Sequence, residues 1–419
     1  MHHFTYKNGV LHGEDVSISD IADTIGTPFY LYSEATLAAH FKAIDQSFAD
    51  CPHLTCFAVK ACSNIAVLRL FARLGAGADI VSGGELFRAL KAGIDPRRII
   101  YSGVGKTADE MHYALTSGIL MFNVESLQEL ERLQEVAAGL EMKAPVAFRI
   151  NPDVDPKTHP YISTGLAENK FGIAMEQAVA AYKRAAALPN ITVMGVSCHI
   201  GSQLTRVEPF LEALQRLCIF IDSLARENIQ ISHLDIGGGV GITYNTEEPP
   251  HPREYAQAIR REMAGLDVTL ILEPGRVIVG NAGILVTRVL YTKENQAKKF
   301  AICDAAMNDL FRPSLYQAYH RVLPVREKKD AATEAIDLVG PICETGDFLA
   351  KNREMAKVAP NDLLAVMSSG AYGFSMASNY NSRPRVPEIL VTGNTYHVIR
   401  DRETYSTLVQ GEHIPDFLE

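Results

Sequence analysis

Between about residues 50 and 275 the chain repeats one pattern, a short β-like apolar run followed by a stretch with apolar residues at helical spacing. Eight runs carry it, at 54–59, 78–81, 99–102, 119–124, 145–150, 192–199, 233–236 and 268–273. Between them the helical spacing is plain, as in Leu127, Leu130, Leu133 and Val136, with Gly139 as a stop. Eight strand-then-helix units in a row predict an α/β fold of the (β/α)8 TIM-like kind, whose sheet closes on itself and leaves no edge to protect. An open doubly wound sheet is the structural rival, but it would not require eight units. In a barrel, reactive groups gather where strands end, and polar residues do fall there: Lys60, Asp79, Ser82, Asn123, Arg149, Asn151, His199, Gly237 to Gly239 and Glu273.

After about residue 280 the texture changes. Runs at 285–290, 300–303, 336–339, 363–366, 389–391 and 397–399 are joined by turns rather than helices, which predicts a separate C-terminal β domain, barrel- or sandwich-like, over 281–419. Residues 1–30, with a Thr27-Pro28 break before an apolar run at 29–32, are too few to fold alone and are expected to pack with that domain, leaving 31–280 for the barrel.

Composition narrows the class of function. The 419 residues carry 40 basic and 49 acidic side chains, a net charge of −9, which disfavours a nucleic-acid partner. With 47% apolar and 21% charged residues the chain is of ordinary globular composition. Its start lacks the apolar core of a signal peptide, and no stretch approaches the roughly 18 to 20 apolar residues needed to cross a bilayer, so a soluble, cytoplasmic protein with no membrane partner is expected. Seven scattered cysteines (51, 56, 62, 198, 218, 303, 343) without a C-x-x-C pair argue against a disulfide framework or a structural zinc, and no metal is expected.

Two phosphate-loop lookalikes fail. Gly103-Val104-Gly105-Lys106-Thr107 ends like a nucleotide-binding loop, but Ile100 stands where the first glycine belongs. Gly75-Ala76-Gly77 has Ile80 where a dinucleotide fingerprint needs its third glycine. A better candidate is Asp235-Ile236-Gly237-Gly238-Gly239-Val240-Gly241, directly after the seventh run, because only backbone free of side chains lets several N–H groups close on an anion; a mobile turn is the alternative. Lys60 follows the first run and is either a solvated charge or an amine partly desolvated, and so freed, for carbonyl chemistry. Glu273-Pro274-Gly275-Arg276 closes the eighth run as a structural ion pair, or as a carboxylate for a pyridine nitrogen beside an arginine for a carboxylate. His199 fits a core position, a stacking ring or, least well, a metal ligand, since no second histidine stands at i+4. Ser202 is either a turn residue or a phosphate donor. In the β domain, Arg312 and Tyr316 pair a cation with a phenol, Cys343 and Glu344 a thiol with a carboxylate, and Tyr372 lies between glycines.

Taken together, these segments resemble the alanine-racemase-like, fold-type III decarboxylases that use pyridoxal phosphate, and among them the branch acting on diaminopimelate. The resemblance runs through Gly26-Thr27-Pro28-Phe29-Tyr30, Phe57-Ala58-Val59-Lys60-Ala61, GAGADIVSGGE at 75–85, Asn123-Val124-Glu125-Ser126, HPYISTG at 159–165, Asn169-Lys170-Phe171-Gly172 and His199–Gln203. It continues through the glycine loop, Glu273 to Arg276, NDLFRPSLY at 308–316, GPICETGD at 340–347, Gly370 to Gly373 and NSRP at 381–384. It implies a carboxy-lyase with pyridoxal 5'-phosphate as cofactor, bound covalently by Lys60. His199 would stack on the ring, and Gly237, Gly238, Gly239, Ser202 and Tyr372 would hold the phosphate. Glu273 would face the ring nitrogen, with Asp79, Gly275 and Arg276 also in the cofactor site. Arg276, Arg312, Tyr316 and Tyr372 would meet the substrate, with Glu344 near its far ammonium and Cys343 delivering a proton. The implied product is L-lysine from meso-diaminopimelate, and the implied assembly a homodimer with shared sites. Sister decarboxylases acting on carboxynorspermidine, ornithine or arginine are the nearest alternatives, and a non-enzymatic pyridoxal phosphate-binding barrel the more distant one. Two positions depart from the pattern, Cys62 after Lys60-Ala61 and Ala306 before Met307, and neither removes a reacting group.

Overall fold

The computed structural model of the chain describes residues 2–155, 169–329 and 331–418. It divides into two compact units, Ala38–Val279 and Met1–Leu37 with Gly280–Glu419. The first is the barrel. Its strands are His53–Ala58, Gly77–Ile80, Ile99–Tyr101, Met121–Val124, Ala144–Asn151, Ile191–Ser197, His233–Asp235 and Thr269–Leu272. Each pairs in parallel with the next, and the eighth pairs with the first, so the sheet closes. Strands buried on both faces read as near-continuous apolar runs, which is why eight of them stood out in the sequence. Inside, Leu54, Cys56, Ile100, Met121, Ala147 and Ile271 form a packed core. The barrel is therefore filled by apolar side chains, and polar chemistry is confined to the strand ends.

The helices that follow the strands begin at legible signals. Ser82, Thr107 and Ser126 cap helices Gly83–Ala92, Ala108–Ser117 and Leu127–Gly139 by accepting the N–H groups of Glu85, Glu110 and Glu129. Each is a Ser/Thr-x-x-Glu sequence, and a cap of this kind stabilises by about 1 kcal/mol. The lookalike loop at 103–107 has a structural occupation: the Lys106 ammonium is buried, donating to Glu129 Oε1 at 2.7 Å and to the carbonyls of Gly103 and Asn123 at 2.8 Å.

In the second unit the long strand Gly283–Glu294 is central. It pairs antiparallel with Phe29–Ser33, Lys299–Cys303 and Leu363–Val366, and Phe29–Ser33 pairs in parallel with Glu388–Thr392 on its other side. The N-terminal strand is thus flanked by C-terminal ones, and the unit's core draws on Phe4, Leu11, Phe29 and Leu31 as much as on Ile284, Val286, Ile389 and Val391. The division falls at Leu37/Ala38 and Val279/Gly280, against the expected 30/31 and 280/281, because the strand at 29–33 is a sheet member. Strand Ala350–Ala356 was not expected: it reads Ala-Lys-Asn-Arg-Glu-Met-Ala, a largely exposed edge strand without apolar alternation. No helix among the described residues is long and apolar enough to cross a membrane.

Candidate active site

The first barrel strand stops at Ala58, and a single tight turn, Val59–Ala61, carries Lys60 between two buried neighbours. The turn aims the Lys60 ammonium at Asp79 on the second strand, with Nζ 2.5 Å from Oδ2. Asp79 is fully buried, whereas a third of the Lys60 side chain is exposed. A buried carboxylate needs a cationic partner to remain tolerable, and this one has it on one oxygen only: Asp79 Oδ1 has no hydrogen-bond partner.

Three further strand ends close around this pair. After the sixth strand His199 is half-buried, and desolvation of its ring, followed by the charges of Arg149 and Lys60, depresses its pKa well below the usual value, so the ring is neutral. Its Nδ1 accepts the Gly238 N–H at 3.2 Å, which leaves the proton on Nε2. Arg149, itself buried, donates to the His199 carbonyl and to Glu125, both at 3.2 Å. After the seventh strand the glycine loop packs so closely that side chains cannot fit. A Cβ on Gly238 would lie 2.1 Å from the Glu273 carbonyl, and one on Gly239 would lie 2.4 Å from that of Gly201. The Gly237 N–H turns back to Asp235 Oδ1 at 2.8 Å.

Glu273 follows the eighth strand and is buried beside Asp235 and Asn123. Burial, reinforced by the neighbouring charges of Asp235 and Asp79, pushes its carboxyl well above the ordinary carboxylate range. Asn123 Nδ2 donates to Asp235 Oδ2 at 2.7 Å, while Asn123 Oδ1 is buried without a partner. Next to them Arg276 opens a four-residue helix and spreads its guanidinium over Ser202 and Tyr244: Nη2 to Ser202 Oγ is 3.0 Å and Nη1 to Tyr244 Oη 2.7 Å. Gly275 before it is needed for close packing, since a Cβ there would meet Ala61 and Ala58 at 3.0 and 3.1 Å. Lys60, Asp79, His199, Ser202, Gly237 to Gly239, Glu273, Gly275 and Arg276 are thereby gathered at one end of the barrel. Asn123, one of the strand-end polar residues, belongs with them, as do Asp235 and Tyr244, which were not singled out as site residues. Asp235 had a signal, a carboxylate inside an otherwise apolar strand, whereas nothing marked Tyr244.

The remaining expected residues lie in the second unit. Arg312 is buried at the start of helix Arg312–Tyr316, its guanidinium 5.8 Å from the Tyr316 ring centre and Nε 3.4 Å from His320 Nε2. Ser314 on that helix donates to the Gly346 carbonyl at 2.6 Å and so ties it to the loop of Cys343 and Glu344. Cys343 and Glu344 are exposed. Asn381 Oδ1 accepts the Cys343 N–H, and Glu344 accepts the Tyr380 hydroxyl, each at 2.8 Å. Tyr372 has φ 55°, a left-handed conformation that a tight loop imposes on it. Cys62 and Ala306 are both buried. The segment at 159–165 lies outside the described residues. Among the described residues no group of His, Cys, Asp and Glu is arranged to hold a metal ion.

Residues 34–280 match the family model for the pyridoxal-dependent decarboxylase pyridoxal binding domain. The chain belongs to this family. Within it the chain groups with the diaminopimelate decarboxylases. It is 58% identical to the diaminopimelate decarboxylase of Pseudomonas aeruginosa over 98% of this chain and 99% of that one. Its fold is similar to that of diaminopimelate decarboxylase from Helicobacter pylori complexed with L-lysine (TM-score 0.91, 44% identity, 94% and 98% of the two chains covered). It is likewise similar to the enzyme from M. jannaschii in co-complex with L-lysine (TM-score 0.95, 38% identity, both chains covered in full).

Proposed function

We propose that this chain decarboxylates meso-2,6-diaminopimelate to L-lysine and CO2 with pyridoxal 5'-phosphate, as the last step of lysine biosynthesis. The observation that carries the proposal is the Lys60 amine held 2.5 Å from the buried Asp79 carboxylate, in a ring of strand ends that also bears a neutral histidine, a buried acid and a serine–arginine pair. Relatives that share nearly the whole length of the chain support it.

The residues present fit that cofactor. Buried acceptors without partners, Asp79 Oδ1 and Asn123 Oδ1, and glycines that leave no room for a Cβ are what a site built around a ligand retains. Lys60 would supply the amine for the cofactor's aldehyde, and Asp79 holds that amine in place. His199, uncharged, would stack on the ring, and Glu273 would serve the ring nitrogen. Ser202, Arg276 and the glycine loop would take the phosphate, with Tyr372 as the family resemblance implies; because Gly237 and Gly238 spend their N–H groups on Asp235 and His199, Gly239 would be the loop's main donor. Bound there, the cofactor supplies the electron sink that no side chain offers to the carbanion left by CO2.

Arg312, Tyr316, Tyr372 and Arg276 recognise the substrate. Arg312 pairs with the far carboxylate, Glu344 with the far ammonium, and the Cys343 thiol delivers the proton to Cα on one face. Ornithine and arginine lack the far carboxylate and would leave a buried guanidinium uncompensated, at a cost of about 3–5 kcal/mol. Carboxynorspermidine carries a carboxylate and is the closer rival. A non-enzymatic carrier would have no use for Arg312, Cys343 and Glu344. The exposure of Cys343 and Glu344 in the isolated chain supports a homodimer in which that loop serves the partner's site, and the chain's composition supports a cytoplasmic enzyme. Purified protein is tested for visible absorbance and for CO2 and lysine release from meso-diaminopimelate, carboxynorspermidine and ornithine. Release from diaminopimelate alone supports the assignment, preference for either rival overturns the substrate, and failure to bind pyridoxal phosphate overturns the mechanism.

A further inference from the structure

Asp235 and Glu273 close adjacent barrel strands, both are buried, and one amide nitrogen, Asn123 Nδ2, reaches both: Asp235 Oδ2 at 2.7 Å and Glu273 Oε1 at 3.5 Å. Two carboxyls brought together in a buried site do not both ionise, and the donors around them decide which keeps its proton. Asp235, with no exposed surface, receives the Gly237 N–H at 2.8 Å on Oδ1, and Asn123 Nδ2 at 2.7 Å and Ser197 Oγ at 3.2 Å on Oδ2. Glu273 Oε1 has only Ser102 Oγ at 3.3 Å and the same Asn123 Nδ2 at 3.5 Å. Two donors at normal length and a third, longer one stabilise an anion on Asp235, and two long contacts do little for one on Glu273.

We infer that Asp235 is the ionised member of a one-proton pair with Glu273, and a positioning residue: it keeps a proton on Glu273 until the ring nitrogen of the cofactor takes it. The inference rests on Glu273 facing that nitrogen, as proposed above. The nitrogen lone pair accepts the proton, the O–H bonding electrons stay on Glu273 as carboxylate, and the net charge of the site is unchanged, so no proton is drawn from solvent. The other charges facing the pair act in opposite directions. Asp79 raises the proton affinity of both carboxyls, and Lys60 lowers that of Glu273. Of the thiols beside the pair, Cys56 and Cys198 are both raised and stay neutral. The contact from Asp235 to Gly237 also links the pair mechanically to the glycine loop, so the same carboxylate that stores the charge fixes the start of that loop.

The test uses the full-length enzyme with and without pyridoxal phosphate. Infrared difference spectra against Glu273→Gln read the C=O stretch of a protonated carboxyl. The band is expected in cofactor-free wild type at neutral pH and lost on loading, and in Asp235→Asn its pH midpoint falls by about one unit, a tenfold change in proton affinity. A thermal comparison is independent of the spectra. Without cofactor, Glu273→Gln, which resembles the protonated acid, keeps the wild-type Tm, and Asp235→Asn lowers it. Absence of the band from cofactor-free wild type overturns the inference even if Asp235→Asn does not fold. An unmoved midpoint, or the reverse order of Tm values, overturns it too. A band that is present in a protein unable to bind pyridoxal phosphate overturns the hand-over together with the cofactor reading, and is told apart because the band is read before any cofactor is added.

Discussion

The acids at the barrel mouth and those of the 343–347 loop solve opposite problems. Asp79, Asp235 and Glu273 are buried, Asp79 against Lys60 and the other two against Asn123, so each is stable only while its neighbours are present. Glu344, next to the exposed Cys343, stands in solvent with the Tyr380 hydroxyl as partner, and only Asp347, which accepts the N–H groups of Met307 and Ile342, is buried in that loop. Low dielectric makes the first group electrostatically strong and intolerant of change, while the exposed Cys343 and Glu344 can be altered at little cost to folding. Substitutions at the barrel mouth should therefore move stability and chemistry together, and those at the loop should move chemistry alone.

The sharpest test of that contrast is Lys60→Ala. It removes the amine and strands the Asp79 carboxylate, so activity should fall by at least about 10³-fold, visible absorbance should vanish and Tm should drop. Retained absorbance would break the assignment of Lys60. Cys343→Ala should lower kcat by about 10²- to 10⁴-fold, the range of a lost general acid, with Tm unchanged; a large fall in Tm would erase the contrast. Arg312→Ala is expected to reduce kcat/KM for diaminopimelate by about 3 kcal/mol, on the order of 10²-fold, while narrowing the gap to ornithine.

The pH dependence follows from His199. Its folded-state pKa lies below the ordinary 6.5, so the unfolded chain binds a proton that the folded one refuses. The contribution of His199 to stability is therefore complete above pH 6.5 and is lost as pH falls below it, and His199→Asn should make thermal melts taken between about pH 7 and 5 less acid-sensitive than those of the wild type. The smallest effect belongs to scaffold alone: Ser126→Ala removes the cap on helix Leu127–Gly139 and should cost about 1 kcal/mol in denaturant unfolding with kcat unchanged.

The eight-fold alternation of the barrel was legible because strands packed on both faces must be apolar along their length, and its helix starts because a Ser/Thr-x-x-Glu cap is a local device. Lys60, Asp79, His199 and Glu273 were legible as the polar residues that end those runs. The strand Ala350–Ala356 was hidden, since an edge strand that buries only a few side chains needs no apolar pattern.

What the sequence determined by itself was the number of strand–helix units, the residues at their ends and the two-part organisation, all of which follow from local periodicity and local hydrogen bonding. Tertiary structure alone decided which C-terminal strands flank the strand at 29–33 and in what register, that Arg276 is engaged by Ser202 and Tyr244, and that Asp235 and Glu273 share Asn123. These are contacts between distant segments, made only when the sheet closes, and no local pattern encodes which partner a buried charge will find.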